Sequence, residues 1–322
     1  MNPKTFIFGI CLSVLTACSQ EEVTDLSAEP ATAVFGISTR GNNTTVQPDA
    51  TTQQVRLYVG EHKPEHLDDK NHLHLRQAYD LETGASFRLD NLPPRRYKLA
   101  FICVPANLPG IFSEEKPGEN SCDFNQQLID YGTVLNAQQN PDYATSGHLY
   151  RKVINRWLKS GETLTEDVTL NRLNGQLIID MSIPEDQFEH EVTEVKVIIE
   201  QTPTLIRIAD NDKDELIMSA PTNEAFIYTS VPEWGVRKHH RVTLNLLPSE
   251  LKGKIIVTTG GNLKTYSLQG VYGGGTVLIK QNTRTTLEFN GLHKDCFTVK
   301  YAGFENSQIG VDNDEWDGWQ EQ

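Results

Sequence analysis

Short apolar runs that alternate with polar residues recur along most of the chain. The clearest are 55–59, 97–102, 166–170, 175–181, 194–199, 226–229, 241–247, 254–259, 276–280, 285–289 and 297–301. Alternation with period two is typical of half-buried β-strands, and Gly, Pro, Asn and Asp separate these runs as they do in antiparallel sandwiches. The pattern predicts a mostly β protein built from antiparallel β-sandwiches.

One segment, 147–161, has helical spacing instead. Leu149, Val153 and Trp157 recur at intervals of four residues, and Gly161 follows them. This pattern is typical of an amphipathic helix that ends at a glycine. We therefore predict one short helix in the N-terminal half.

The density of strand-like runs changes near residue 170. Before it the runs are sparse, with an irregular span from Pro105 to Gly147, and after it they are dense. We predict two β-sandwich domains, 33–170 and 171–322. No exact repeat of 20–50 residues occurs, which argues against a solenoid or a propeller.

The N-terminus has the order of a secretory signal peptide. Lys4 precedes an apolar run of about ten residues, which is too short to cross a bilayer, and small residues follow it. The sequence Leu15-Thr16-Ala17-Cys18 resembles the bacterial lipobox, in which the cysteine is diacylated and becomes the mature N-terminus. We predict a signal peptide over 1–17, with an ordinary signal peptide cut elsewhere as the alternative.

Residues 18–32 are polar with little periodicity and predict a lipidated flexible tether. Glu21 and Glu22 resemble the acidic stretch that directs lipoproteins of Bacteroides-like bacteria to the outer leaflet of the outer membrane. A chance acidic pair in a polar tether is the alternative. The prediction is a surface-exposed lipoprotein of the cell outer membrane.

Composition limits the partners. The 322 residues carry a formal net charge of −14, which argues against binding to nucleic acid and against direct binding to anionic lipid, because both require basic patches. No second apolar run reaches 18 residues, so Cys18 is the predicted membrane attachment.

Three cysteines remain beyond the signal peptide and Cys18. Cys103 and Cys122 flank a loop-like stretch and could form a disulfide, whereas Cys296 lies on a strand pattern and is expected in the core. The alternative is three reduced, mostly buried cysteines.

Histidines cluster early in the chain, at His62, His66, His72 and His74. Pro64 separates the first two and disfavours the helix that would bring them together on a metal. A solvated loop therefore explains the cluster better than a metal site.

Acidic residues also occur at ligand-like spacing. Asp210, Asp212 and Asp214 follow the EF-hand pattern, but Glu215 stands where its tight turn requires glycine. Exposed acidic loops explain these residues and those of 312–317, with a looser calcium site as the alternative. No nucleophile elbow, phosphate-binding loop or dinucleotide fingerprint occurs, so we predict no metal, no cofactor and no enzymatic activity.

Three tryptophans, Trp234, Trp316 and Trp319, lie in polar, turn-rich segments. In such positions an indole ring can stack on a sugar or dock on a protein partner. Capping the end of a core explains them equally well.

Together these features resemble the anchor subunits of type V pili, the fimbriae of Bacteroides- and Porphyromonas-like bacteria. The resemblance is carried by the lipobox, the tether, the two β-rich halves and the segments 91–105, 143–152, 167–181 and 309–319. It implies two transthyretin-like sandwich domains, no catalysis, and a place at the base of a fimbria. Its implied partners are shaft or accessory pilin subunits, held by strand complementation.

Arg40 leaves a second role open. Shaft subunits of such pili resemble the anchors, but a trypsin-like protease cuts them after an arginine and so removes the lipid and the first strand. Arg40 follows a first strand pattern and is expected in a Gly/Asn-rich loop. A shaft or tip precursor cleaved after Arg40 is therefore one alternative, and a surface glycan-binding lipoprotein is another.

The C-terminus is the predicted partner-binding element. Ile309 and Val311 lie two residues apart, on one face of a potential strand that could complete the sheet of another protein. In the resembled family the C-terminal strand region is the donor, and Trp316 and Trp319 would then be docking anchors. The alternative is that 309–316 form the last strand of the chain's own sheet.

Overall fold

The computed structural model of the chain describes a set of ranges, to which every structural statement below refers. These are 28–41, 44–46, 53–62, 73–81, 86–106, 108, 110–112, 124, 127–139, 148–182, 192–208, 216–219, 224–232, 239–271, 275–289 and 297–303.

The N-terminal half contains one short helix among its strands. Its elements are β1 (Ala31–Gly41), β2 (Thr44–Val46), β3 (Gln53–Glu61), β4 (His74–Leu81), β5 (Phe87–Leu92), β6 (Arg96–Pro105), β7 (Leu128–Asp130), α1 (Tyr131–Ala137), β8 (Tyr150–Trp157) and β9 (Thr163–Arg172).

The C-terminal half, as far as it is described, consists of strands. They are β10 (Gly175–Ser182), β11 (Val192–Ile199), β12 (Leu205–Arg207), β13 (Phe226–Ser230), β14 (His239–Leu246), β15 (Ser249–Glu250), β16 (Gly253–Thr259), β17 (Asn262–Ser267), β18 (Gln269–Val271), β19 (Gly275–Thr276), β20 (Leu278–Ile279), β21 (Thr283–Glu288) and β22 (Thr298–Gly303).

The described strands of the N-terminal half, except β7, form one sheet that folds back on itself. Its order is β2-β1-β9-β8-β6-β3-β4, with β5 also paired to β1. β8 and β9 are joined at their ends only, by the register pairs Tyr150–Arg172 and Arg151–Asn171. The two parts therefore face each other as a sandwich, hereafter the N-terminal sandwich, and the rings of Phe35 on β1 and Phe101 on β6 meet across its core at 5.2 Å.

The C-terminal half forms a second sandwich, the C-terminal sandwich, of two four-stranded sheets. Their orders are β14-β10-β21-β22 and β13-β11-β16-β17. Alternation decides the inner faces: Val195, Val197 and Ile199 of β11 are buried, while the residues between them are partly exposed. Each half contains one parallel pair, β1–β9 and β10–β21, so the expected antiparallel sandwiches are in fact mixed.

The prediction of a mostly β protein with one short helix in the N-terminal half is confirmed, but the helix was predicted in the wrong place. Residues 150–157 form β8, which pairs with β6 through eight register positions. Val153 and Ile154 belong to apolar clusters on opposite faces of the sheet. A strand that is covered on both faces carries apolar residues without alternation. In this segment their spacing resembled that of an amphipathic helix.

The helix itself is α1. It begins after Asp130, whose carboxylate accepts a hydrogen bond from the backbone N–H of Gly132 at 2.8 Å and so caps the helix. β9 passes the boundary proposed at residue 170 and ends at Arg172.

Candidate anchoring and assembly sites

β1 connects the predicted tether to the interior of the protein. Ala31, Ala33 and Phe35 are fully buried and belong to the core of the N-terminal sandwich. β5 pairs with β1 on one side, and β9 pairs in parallel on the other, from Thr32–Thr163 to Arg40–Asn171. The first strand that the structure describes is thus an internal strand of its sheet, paired on both sides.

The expectation that Arg40 lies in a loop is wrong. Its backbone belongs to β1 and pairs with Asn171 of β9 and with Thr45 of β2. Gly and Asn after Arg40 predicted an early end to the strand, but β2 pairs back onto β1 and extends the ladder to Gly41. The peptide bond after Arg40 therefore lies within paired strand, where a protease cannot bind it in the extended form it needs without local unfolding.

The start of β1 is held by the turn between β8 and β9. The backbone N–H of Gly161 donates to Glu29 O at 2.9 Å, and that of Thr32 donates to Glu162 O at 2.8 Å. Gly161 has φ +66°, and a Cβ there would lie 2.9 Å from a carboxylate oxygen of Glu29. Glycine suits this position because it adopts a positive φ without strain and has no Cβ to clash with Glu29.

The two halves are joined by a short sheet and by buried hydrogen bonds. β7 of the N-terminal half pairs with β12 of the C-terminal half. The backbone N–H groups of Tyr131 and Gly132 both donate to Thr204 O, at 2.6 and 3.2 Å. The guanidinium of Arg151, which is 1% exposed, donates to Arg207 O at 3.2 Å. The largest apolar cluster likewise runs through both halves.

Two consecutive glutamines at the end of α1 cap the edges of the C-terminal sandwich. Gln138 is buried; its amide donates to Asn245 O at 2.8 Å and accepts from Asn245 N at 2.5 Å. Gln139 is exposed and donates to Ile227 O at 2.8 Å. Asn245 lies on β14 and Ile227 lies on β13. Each of these strands is at one edge of its sheet. No periodicity in the sequence marks these glutamines.

A group of basic side chains lies near the passage from β9 to β10. The guanidinium of Arg172 donates to the Tyr150 hydroxyl at 3.0 Å. Burial, together with the positive charges of Arg172 and Arg284, lowers the pKa of His148 to about 3. Burial also lowers the pKa of Arg284, as do Arg172 and Arg241. His148 is therefore neutral at physiological pH.

Cys103 has a free thiol that is fully buried in the N-terminal sandwich, and burial raises its pKa to about 12. This position speaks against the proposed disulfide, but Cys122 lies outside the described residues and the pairing stays a prediction. The other predicted site residues also lie outside the described ranges: Cys18, Ile309, Val311, Trp316 and Trp319.

The described residues bear on metal binding and on membrane crossing. They contain no group of three or more His, Cys, Asp or Glu side chains placed to hold a metal ion. Within the same residues, no helix has the length and apolar character needed to cross a membrane.

Comparison with known proteins gives similarity at the level of structure. Neither the protein-family models nor the curated protein sequences match the chain. A candidate polysaccharide-binding protein from Bacteroides thetaiotaomicron is similar at 12% identity, over 85% of this chain and 96% of its own, with a TM-score of 0.52.

Two further solved structures have fimbrial descriptions. The fimbrial anchor protein Mfa2 from Porphyromonas gingivalis is 10% identical over 85% of this chain and 98% of its own, with a TM-score of 0.47. A fimbrial assembly protein from Parabacteroides distasonis is 11% identical over 88% and 99%, with a TM-score of 0.46. Fimbrial anchor and assembly proteins are thus among the structural neighbours of the chain. At such identities the similarity concerns the fold alone.

Proposed function

We propose that this protein is a lipid-anchored component of the outer membrane that holds the base of a pilus on the cell surface and performs no catalysis. A lipid on Cys18 attaches it to the membrane. Strand complementation through the C-terminal residues attaches the pilin subunits. The observation that carries this proposal is the position of β1, which follows the predicted tether and is paired on both sides within its sheet.

The geometry of β1 suits a protein under tension. The tether enters β1 at Ala31, and the chain leaves β9 for the C-terminal half at Arg172, at the opposite end of the parallel pair. A pull between membrane and pilus therefore acts along the strand axes. Nine register pairs, from Thr32 to Arg40, resist such a pull together rather than separating one after another. An anchor needs this arrangement, whereas a subunit that loses β1 cannot use it.

The C-terminal residues are the proposed attachment for the pilus. The described chain ends at Gly303 on β22, which is an edge strand of its sheet. In the proposal, Ile309 and Val311 of the tail supply alternate side chains to a pilin groove. Trp316 and Trp319 fill pockets on the same partner, since tryptophans in such positions commonly dominate interface energies.

The mature N-terminus tests the anchor role. Surface protein isolated from cells is analysed by mass spectrometry, and the anchor is expected to begin at lipidated Cys18 and to contain residues 19–40. A protein that begins at Gly41 would instead be a cleaved shaft or tip subunit, and the anchor proposal would fall.

A further inference from the structure

One end of the N-terminal sandwich gathers the residues closest to the predicted tether. Here Ala31 begins β1, Trp157 ends β8, and the turns 93–96 and 158–162 lie side by side, joined by a hydrogen bond from Leu158 N to Arg95 O at 2.9 Å. We call residues 28–31, 93–96 and 157–162 the tether pole. The C-terminal sandwich lies at the other end of β9, whose ten residues span about 30 Å.

The tether pole displays a large aromatic side chain to solvent. Trp157 is 51% exposed and is the one large hydrophobic residue of the described N-terminal half with such exposure. It stands opposite Arg96 in the β6–β8 register. Leu158, the next residue, is buried, which fixes the backbone from which the indole ring projects. The ring therefore does not contribute its full area to the core.

Basic residues surround this tryptophan although the whole chain is acidic. Arg95, Arg96 and Lys159 lie on the tether pole together with Glu29 and Glu162, and Arg95 pairs with the carboxylate of Glu61 at 3.5 Å. The pole therefore lacks the strong acidic excess of the whole chain, which has a net charge of −14. Tryptophan beside lysine and arginine is the residue combination found at membrane–water interfaces.

The tether sets the distance of this pole from the bilayer. Glu29 lies eleven positions after Cys18, so a lipid on Cys18 would keep the pole within about 40 Å of the membrane at full extension. On the proposed lipid anchor, the tether pole is therefore the described part of the chain that is tethered closest to the lipid surface.

We propose that the tether pole lies on the bilayer that carries the lipid of Cys18, with Trp157 in the headgroup region and Arg96 and Lys159 beside lipid phosphates. This contact rests on the proposed lipid anchor and adds a second point of attachment to it. Two points orient the molecule, so the C-terminal sandwich is held away from the membrane, where a pilus would attach.

Quenching of tryptophan fluorescence by brominated lipid tests the contact. Full-length lipidated protein is reconstituted into vesicles of phosphatidylethanolamine and phosphatidylglycerol, with and without bromine near the headgroup end of the acyl chains. We expect bromine to quench part of the wild-type fluorescence. Trp157→Phe should lose most of that quenchable part, whereas the matched control Trp234→Phe should keep it. Thermal melts of both variants show whether they remain folded.

The outcomes separate this inference from the anchor proposal. If the wild-type protein floats with the vesicles but bromine quenches no fluorescence, or quenches Trp157→Phe equally, the contact is refuted and the lipid anchor stands. If the wild-type protein does not float, the anchor on Cys18 is refuted and the contact falls with it.

Discussion

Replacing Gln138 with alanine is expected to weaken the junction between the two halves. The Gln138 amide satisfies both the N–H and the C=O of Asn245, a residue that is 2% exposed, and it does so from the end of α1. Alanine removes both partners and leaves two backbone groups buried at the edge of β14. Gln138 thus takes the place of a neighbouring strand as the hydrogen-bond partner of the Asn245 backbone.

The expected cost follows from the burial of Asn245. Each buried polar group left without a partner costs about 1–3 kcal/mol, so the loss of both groups should lower the free energy of unfolding by about 3 kcal/mol. For a chain of 322 residues that corresponds to a decrease in Tm of about 4 °C. Gln139→Ala is the matched control, because it removes a single hydrogen bond from an exposed side chain and should cost less than about 1 kcal/mol.

Urea unfolding followed by both circular dichroism and tryptophan fluorescence measures the effect. Coincidence of the two signals shows whether the halves unfold together, which a protein of two sandwiches need not do. We expect Gln138→Ala to lower the midpoint and Gln139→Ala to leave it nearly unchanged. Equal, small shifts in both variants would refute the assigned role of Gln138 as an edge cap.

The remaining predictions concern the two ends of the chain and the buried thiol. Cys18→Ala should leave the protein folded but released from membrane fractions, and continued membrane association would contradict the lipobox prediction. Deletion of 306–322 should leave a folded, lipidated protein whose pili detach into the medium; attached pili would rule out the donor role, and a lowered Tm would make the tail a core strand. Cys103 should resist alkylation at pH 8 until denaturant is added, because its thiol is buried and its pKa is raised to about 12; rapid labelling of that residue in the folded protein would contradict its position.

The alternation of apolar and polar residues was sufficient to predict the fold class. Alternation in segments such as 194–199 and 241–247 reports directly on strands with one buried face, because side chains of a strand point alternately to the two sides. The lipobox prediction is also a matter of local sequence. Signals of this kind need no knowledge of distant parts of the chain.

The position of the helix and the state of Arg40 depended on tertiary structure. The segment 150–157 is a strand because the N-terminal core covers one face of it and the apolar cluster shared with the C-terminal half covers the other. Arg40 is in paired strand because β9, more than 120 residues away in sequence, pairs with β1. Neither neighbour is visible in the local pattern, which therefore indicated a helix and a loop.

The junction and the tether pole were likewise decided by the fold. In the sequence Gln138 and Gln139 are two ordinary polar residues, and only their hydrogen bonds to β14 and β13 make them edge caps. Trp157 matched a buried helical position in the sequence, yet the end of β8 leaves it half exposed beside the tether. The sequence by itself determined that the chain is a β-rich protein with the signals of a lipoprotein, because those properties are written in neighbouring residues. Which polar and aromatic side chains meet a partner was decided by contacts between segments far apart in the chain.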